Sequence, residues 1–142
     1  ALMDALIAAA MRGVRVDVYH SHREALPATD LAWIASAASF EHLLSSGVRI
    51  FENRHGEHSK IILVDRTRVA FGSYNFEDAA HDRLAEAMLA SRDHHLVTPA
   101  ASIFDGLQQD PDNVIVTPAT MAALPGSLRR RLALYGRFKR WM

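Results

Sequence analysis

The run Lys60–Phe71 constrains the fold of this chain more than any other stretch. Ile61, Ile62, Leu63 and Val64 are uninterrupted apolar residues, Asp65-Arg66-Thr67 reads as a turn, and Val69 to Phe71 runs back. An apolar segment this short, closed by a turn, suits a strand rather than a helix. Segments of alternating type surround it. Leu2, Ala5, Leu6 and Ala9 recur at helical spacing, with Gly13 as the stop. Val14 to Tyr19 alternates as a half-buried strand does, and His20 to Ala28 reads as a loop. Thr29 or Asp30 caps a helix through Trp33, Ile34, Phe40, Leu43 and Leu44 that Gly47 closes. Val48 to Phe51 is a second strand, and Glu52 to Glu57 is a polar connection. A short helix near 76–83 and a strand near 85–90 follow the hairpin. Val97-Thr98-Pro99-Ala100 and Val116-Thr117-Pro118-Ala119 each offer a threonine cap with proline first in the helix, and Asn113 to Val116 is a short strand. The expected fold is α/β, a mixed, largely parallel sheet flanked by helices.

Composition narrows the function classes. With 142 residues, 49% of them apolar and 23% charged, the chain is of ordinary globular make-up and long enough for one core. No run approaches the roughly 18 apolar residues of a membrane-spanning helix. Cysteine is absent, which removes disulfides, thiolate metal sites and a cysteine nucleophile. Formal charge is zero, but residues 126–142 hold six basic residues and no acid, leaving ten basic and sixteen acidic residues, net −6, on the rest. A basic tail on a mildly acidic body differs from a uniformly basic nucleic-acid surface. The expected organisation is one domain over 1–125 and a basic amphipathic helix over 126–142. The first helix begins at the first residue, so the chain reads as a piece of a longer protein whose initial strand–helix–strand portion is missing.

The densest chemistry is at Glu57-His58-Ser59-Lys60. Residues two apart at a strand mouth point to one face, so His58 and Lys60 stand side by side. Imidazole can attack phosphorus, and ammonium can neutralise non-bridging oxygens. Gly72-Ser73-Tyr74-Asn75 adds a hydroxyl and an amide beside the returning strand, neutral donors for a phosphate cradle. Of sixteen basic residues only two are lysine, and Lys60 is one of them. A compact point charge is what lysine supplies and arginine does not. His20, His22 and Arg23 follow a strand end, where α/β sites form, although a solvated loop explains them as well. With His55 and His58, the two loop histidines could supply metal ligands by residue type.

His58-x-Lys60, four residues, Asp65, six residues, then Gly72-Ser73-x-Asn75 resembles the HxKxxxxDxxxxxxGSxN signature of the phospholipase D superfamily at every fixed position. The similarity extends over about residues 1–92. It implies a phospholipase D-like half-domain and a two-step chemistry without metal or cofactor, through a covalent phosphohistidine. A second motif copy supplies the other histidine. By this resemblance the catalytic residues are His58, as nucleophile or acid/base, with Lys60 and Asp65. Lys60, Ser73 and Asn75 hold the phosphate, and Gly72 and Glu86 support the site. Asp65 begins the turn, which suits support of the motif better than substrate contact. Glu86 could orient the His58 ring, whereas Leu84 stands where the family has asparagine.

The expected partners follow. A phospholipid is the first substrate class, for a phospholipase D-like or cardiolipin-synthase-like phosphodiesterase or phosphatidyltransferase. The alternative is a single-motif homodimeric endonuclease on DNA or RNA, which Gly72 to Ala80 also resembles; a third reading is a non-catalytic phosphate-binding half. The second motif comes from the missing part of the chain or from a homodimer mate. Leu128, Leu132, Tyr135, Phe138 and Met142 share a helical face. That face would lie on anionic lipid or pack on the core. The expected location is bacterial-type, cytoplasmic or peripheral on the cytoplasmic membrane face.

Overall fold

The computed structural model describes residues 2–25, 30–74 and 85–139, with side chains through 137. In chain order the elements are α1 (Leu2–Met11), β1 (Asp17–Ser21), a 3₁₀ turn (Arg23–Ala25), α2 (Asp30–Ala37), α3 (Phe40–Ser45), β2 (Arg49–Asn53), β3 (Ile61–Val64), β4 (Arg68–Gly72), β5 (Met88–Ser91), α4 (His94–Gln109), β6 (Asn113–Val116), α5 (Pro118–Ala122) and α6 (Gly126–Lys139). They form two compact units, Ala1–Glu57 with Asp112–Met142, and His58–Pro111. The short helix read near 76–83 lies outside the described residues. No helix among the described residues is long and apolar enough to cross a membrane.

In the first unit β1 runs parallel to β2, and β6 pairs antiparallel with β2. The helical segment between β1 and β2 makes the parallel crossover possible. It is not the single helix its sequence suggests. Ile34, Ala37, Phe40 and Leu43 are all buried. Steps of three residues drift around an α-helix, which turns every 3.6 residues. A tight turn at Ala38–Ser39, with Ser39 N–H donating to Ser36 O at 3.0 Å, separates α2 from α3 and re-aims the second half at the core. That core gathers Trp33, Phe40 and Ile50 with Ile7 of α1, Val116 of β6 and Leu128 of α6. The tail helix is therefore anchored. Leu128 is buried, and Leu132 and Tyr135 pack against the cluster. Leu128, Leu132 and Tyr135, three residues of the face that would meet lipid, are used inside this unit.

In the second unit β3, β4 and β5 form an antiparallel sheet. Ile61, Leu63 and Phe71 pack with Val69 against Val97 and Ala100 of α4. The α/β class and mixed pairing are those expected, but the balance is not largely parallel. Among the described residues one pairing is parallel and three are antiparallel. The reason is local: a parallel crossover needs roughly a dozen residues, and the link from β3 to β4 is far shorter. Helix α4 also begins earlier than its Thr98-Pro99 signal. Asp93 caps it by accepting from His95 N–H at 2.9 Å, so Pro99 lies inside the helix. The Thr117 cap is present as read, with Thr117 Oγ1 accepting from Thr120 N–H at 3.1 Å.

Candidate active site

Strand β3 starts at Ile61, so His58, Ser59 and Lys60 form the extended approach to it. Gly72 N–H donates to Lys60 O at 3.3 Å, continuing the β3–β4 ladder by one step. Lys60 thereby shares a sheet face with Ile62 and Gly72, opposite the residues that pack on α4. Lys60 Nζ donates to the carbonyl oxygen of His58 at 2.8 Å, which tethers the ammonium to the backbone of the histidine. His58 is exposed and Lys60 half-buried. Among the described residues nothing is hydrogen-bonded to the His58 imidazole.

Gly72 and Ser73 close the same end of the sheet. A Cβ on Gly72 would lie 2.0 Å from Ala87 O and 2.9 Å from Met88 Cα, so only hydrogen fits where β4 crosses β5. The close approach lets Ser73 N–H donate to Ala87 O at 3.0 Å and Ala87 N–H donate to Ser73 Oγ at 3.1 Å. The Ser73 hydroxyl donates to the Glu86 carboxylate. Glu86, read from sequence as a partner for the His58 ring, is held by Ser73 instead. The hydroxyl read as a phosphate donor is engaged in that bond. The reason is the backbone pairing of Ser73 with Ala87, which leaves the side chain of the preceding residue, Glu86, within reach of Ser73.

Asp65 stands elsewhere. It and Arg66 have φ of 50° and 53°, and Thr67 N–H donates to Val64 O at 3.0 Å. Two consecutive left-handed residues thus open the three-residue link Asp65–Thr67 between the paired Val64 and Arg68, a conformation that aspartate tolerates. At about 3.3 Å per residue, β3 separates this turn by about 13 Å from the His58–Lys60 end. Asp65, named with the catalytic residues by the resemblance, makes this turn, at the opposite end of β3 from His58 and Lys60. Arg66 holds the turn to α4 through a bidentate pair with Asp105, at 2.8 and 2.7 Å. Asn75 and Leu84 lie outside the described residues.

Comparison with known proteins bears on this geometry. The family model described as "Cardiolipin synthase, PLD-like domain" matches residues 1–108. The chain belongs to the phospholipase D superfamily. A search of curated protein sequences returned no match. The crystal structure of Nuc from Salmonella typhimurium, a phospholipase D family member, is similar in fold, with a TM-score of 0.61 at 24% identity over 81% of this chain and 72% of that one. Superfamily membership makes phosphodiester chemistry the general activity, and the exposed His58 beside Lys60 is suited to it.

The other histidines of this phospholipase D-type chain divide by burial. His20 is not in a loop: β1 continues to Ser21, and His20 is half-buried, with its Nδ1 2.8 Å from Ser21 O and its ring edge-on to Phe40. Burial lowers its pKa. His22 N–H donates to Asn53 O at 2.9 Å, extending the β1–β2 ladder. His55 Nε2 lies 2.6 Å from Asp112 at the surface. His94 and His95 stack at the exposed start of α4. Two features had no plain sequence signal. Ser21, buried, donates through Oγ to Glu57 O at 2.7 Å and accepts from Glu57 N–H at 2.8 Å. It clamps the backbone immediately before His58. Glu52, also buried, accepts from the Trp33 indole. The alternation of Ile50 and Glu52 along β2 was the available clue to the second.

Proposed function

We propose that the chain carries one half of a metal-independent phosphodiesterase or phosphatidyltransferase site for phospholipids, working through a phosphohistidine. The observation that supports it is an exposed His58, its imidazole without a hydrogen bond among the described residues, whose backbone oxygen accepts from the Lys60 ammonium. A ring nitrogen of His58 bonds to phosphorus while the bond to the leaving alcohol breaks. The histidine of a second motif gives the leaving oxygen its proton, then takes one from water or an acceptor alcohol as the phosphorus–nitrogen bond is cleaved. Lys60 offsets the charge on the non-bridging oxygens. Asn75 and Ser73 complete the cradle, with Ser73 exchanging Glu86 for phosphate oxygen. The cardiolipin-synthase description of the matching family model favours lipid.

The second reading is a homodimeric endonuclease, favoured by the run Gly72 to Ala80, which also resembles the short nucleases. The deciding assay is hydrolysis of bis(p-nitrophenyl) phosphate, phosphatidylglycerol vesicles and supercoiled plasmid in excess chelator. It compares the parent with His58→Ala, alone and with the remainder of the enzyme supplied. The variant is expected to lose about 10³-fold or more in rate. Activity that survives in it removes His58 from the chemistry. Plasmid nicking without lipid turnover establishes the second reading over the first.

A further inference from the structure

An open cleft of about 1210 Å³ lies within the first unit, away from any role assigned above. Its floor is apolar, built by Leu44, Val48, Ile50 and Met121. One wall is a single stripe of α6. Arg129, Leu132, Ala133, Gly136 and Arg137 recur at three- and four-residue steps and all line it. Small residues in the middle of the stripe leave the space open, and a guanidinium stands near each end. The other charged groups facing the cleft are Arg49 and Glu41. Arg49 is taken by Asp17, at 2.6 and 2.7 Å. Arg129 and Arg137 are exposed, and among the described residues neither has an ion-pair partner.

An apolar trough flanked by two uncommitted arginines is complementary to one chemistry. We infer that the cleft binds a single-chain anionic amphiphile. The alkyl chain lies along Leu44, Met121 and Leu132, and the headgroup is paired with Arg129 or Arg137. Glu41 on the facing wall directs the negative head to the α6 side. A cleft of this kind buries most of a ligand on apolar side chains and orients it by few polar groups. Guanidinium suits phosphate and carboxylate heads through paired N–H donors. The site is independent of the His58 reading and is tested by binding, not by activity.

Isothermal titration of the 142-residue chain with decyl phosphate below its micelle concentration tests it, against decyl maltoside and inorganic phosphate. Decyl phosphate is expected to bind one to one, at least about tenfold tighter than either control. Arg129→Gln with Arg137→Gln is expected to bring it down to the affinity of the maltoside. Gly136→Leu, which fills the trough, is expected to abolish binding. Circular dichroism and unchanged unfolding midpoints confirm that the variants are folded. Equal affinity for the neutral amphiphile overturns the inference, as does equal affinity for inorganic phosphate. So does a Gly136→Leu chain that changes from dimer to monomer by sedimentation, which would make the cleft an interface between copies. Absence of binding by the folded parent also overturns it.

Discussion

Glu52 points its carboxylate into the core of the first unit against the Trp33 indole. Burial raises its pKa, an effect only partly countered by the indole bond and by Arg23. A carboxyl whose folded pKa exceeds its unfolded value favours the fold at low pH. That contribution is lost as pH rises through the folded pKa. Glu52→Gln keeps an acceptor for the indole and removes the charge. The variant is expected to be more stable than the parent at about pH 8 and to converge with it near pH ~4, read from urea midpoints across pH. Gly72 makes a second case at this scale. Any side chain there meets Ala87 and Met88 backbone. Gly72→Ala is expected to cost about 1–3 kcal/mol in chemical unfolding and to lower activity by displacing Ser73.

The β3–β4 hairpin carries its own test. Its turn holds two consecutive left-handed residues, a conformation that costs about 1–2 kcal/mol for most side chains. Asp65→Val is expected to lose about that much stability, measured by thermal melting, while Asp65→Asn retains the turn. Turnover should survive Asp65→Asn, because the turn sits at the far end of β3 from His58. Loss of turnover with stability intact would return Asp65 to the catalytic group. At this scale the hairpin itself was legible in the sequence, from Ile61–Val64 and the residues that follow. The conformation of its turn was not. Spacing placed Asp65 in a motif and at the start of the turn, and only the backbone showed that it and Arg66 are left-handed.

Across the whole molecule, long-range packing decides what the tail does. Leu128 is 4% exposed and joins residues of α1, α2 and β2 in one core. Leu128→Ala is expected to destabilise the fold by about 2–5 kcal/mol, seen in the denaturant midpoint. A helix serving only as a lipid contact would show almost no such loss. Arg131 adds an exposed pair with Asp30 at 3.0 Å, worth little beside the apolar anchor. The clamp of Glu57 by Ser21 also belongs here, because it joins segments 36 residues apart.

The sequence by itself determined the α/β class, the hairpin, the Thr117 cap and the place of His58 and Lys60 two residues apart at the mouth of β3. Each depends on residues close in the chain, where periodicity, turn chemistry and a two-residue step carry the information. Tertiary structure alone decided the parallel-to-antiparallel balance, the split of α2 from α3, the place of His20 in β1 and the burial of Glu52. It also decided the transfer of Glu86 to Ser73 and the use of the α6 face. These depend on which distant backbone lies alongside. A side chain such as Glu86 takes the partner that a neighbouring strand presents, and no local pattern records that neighbour.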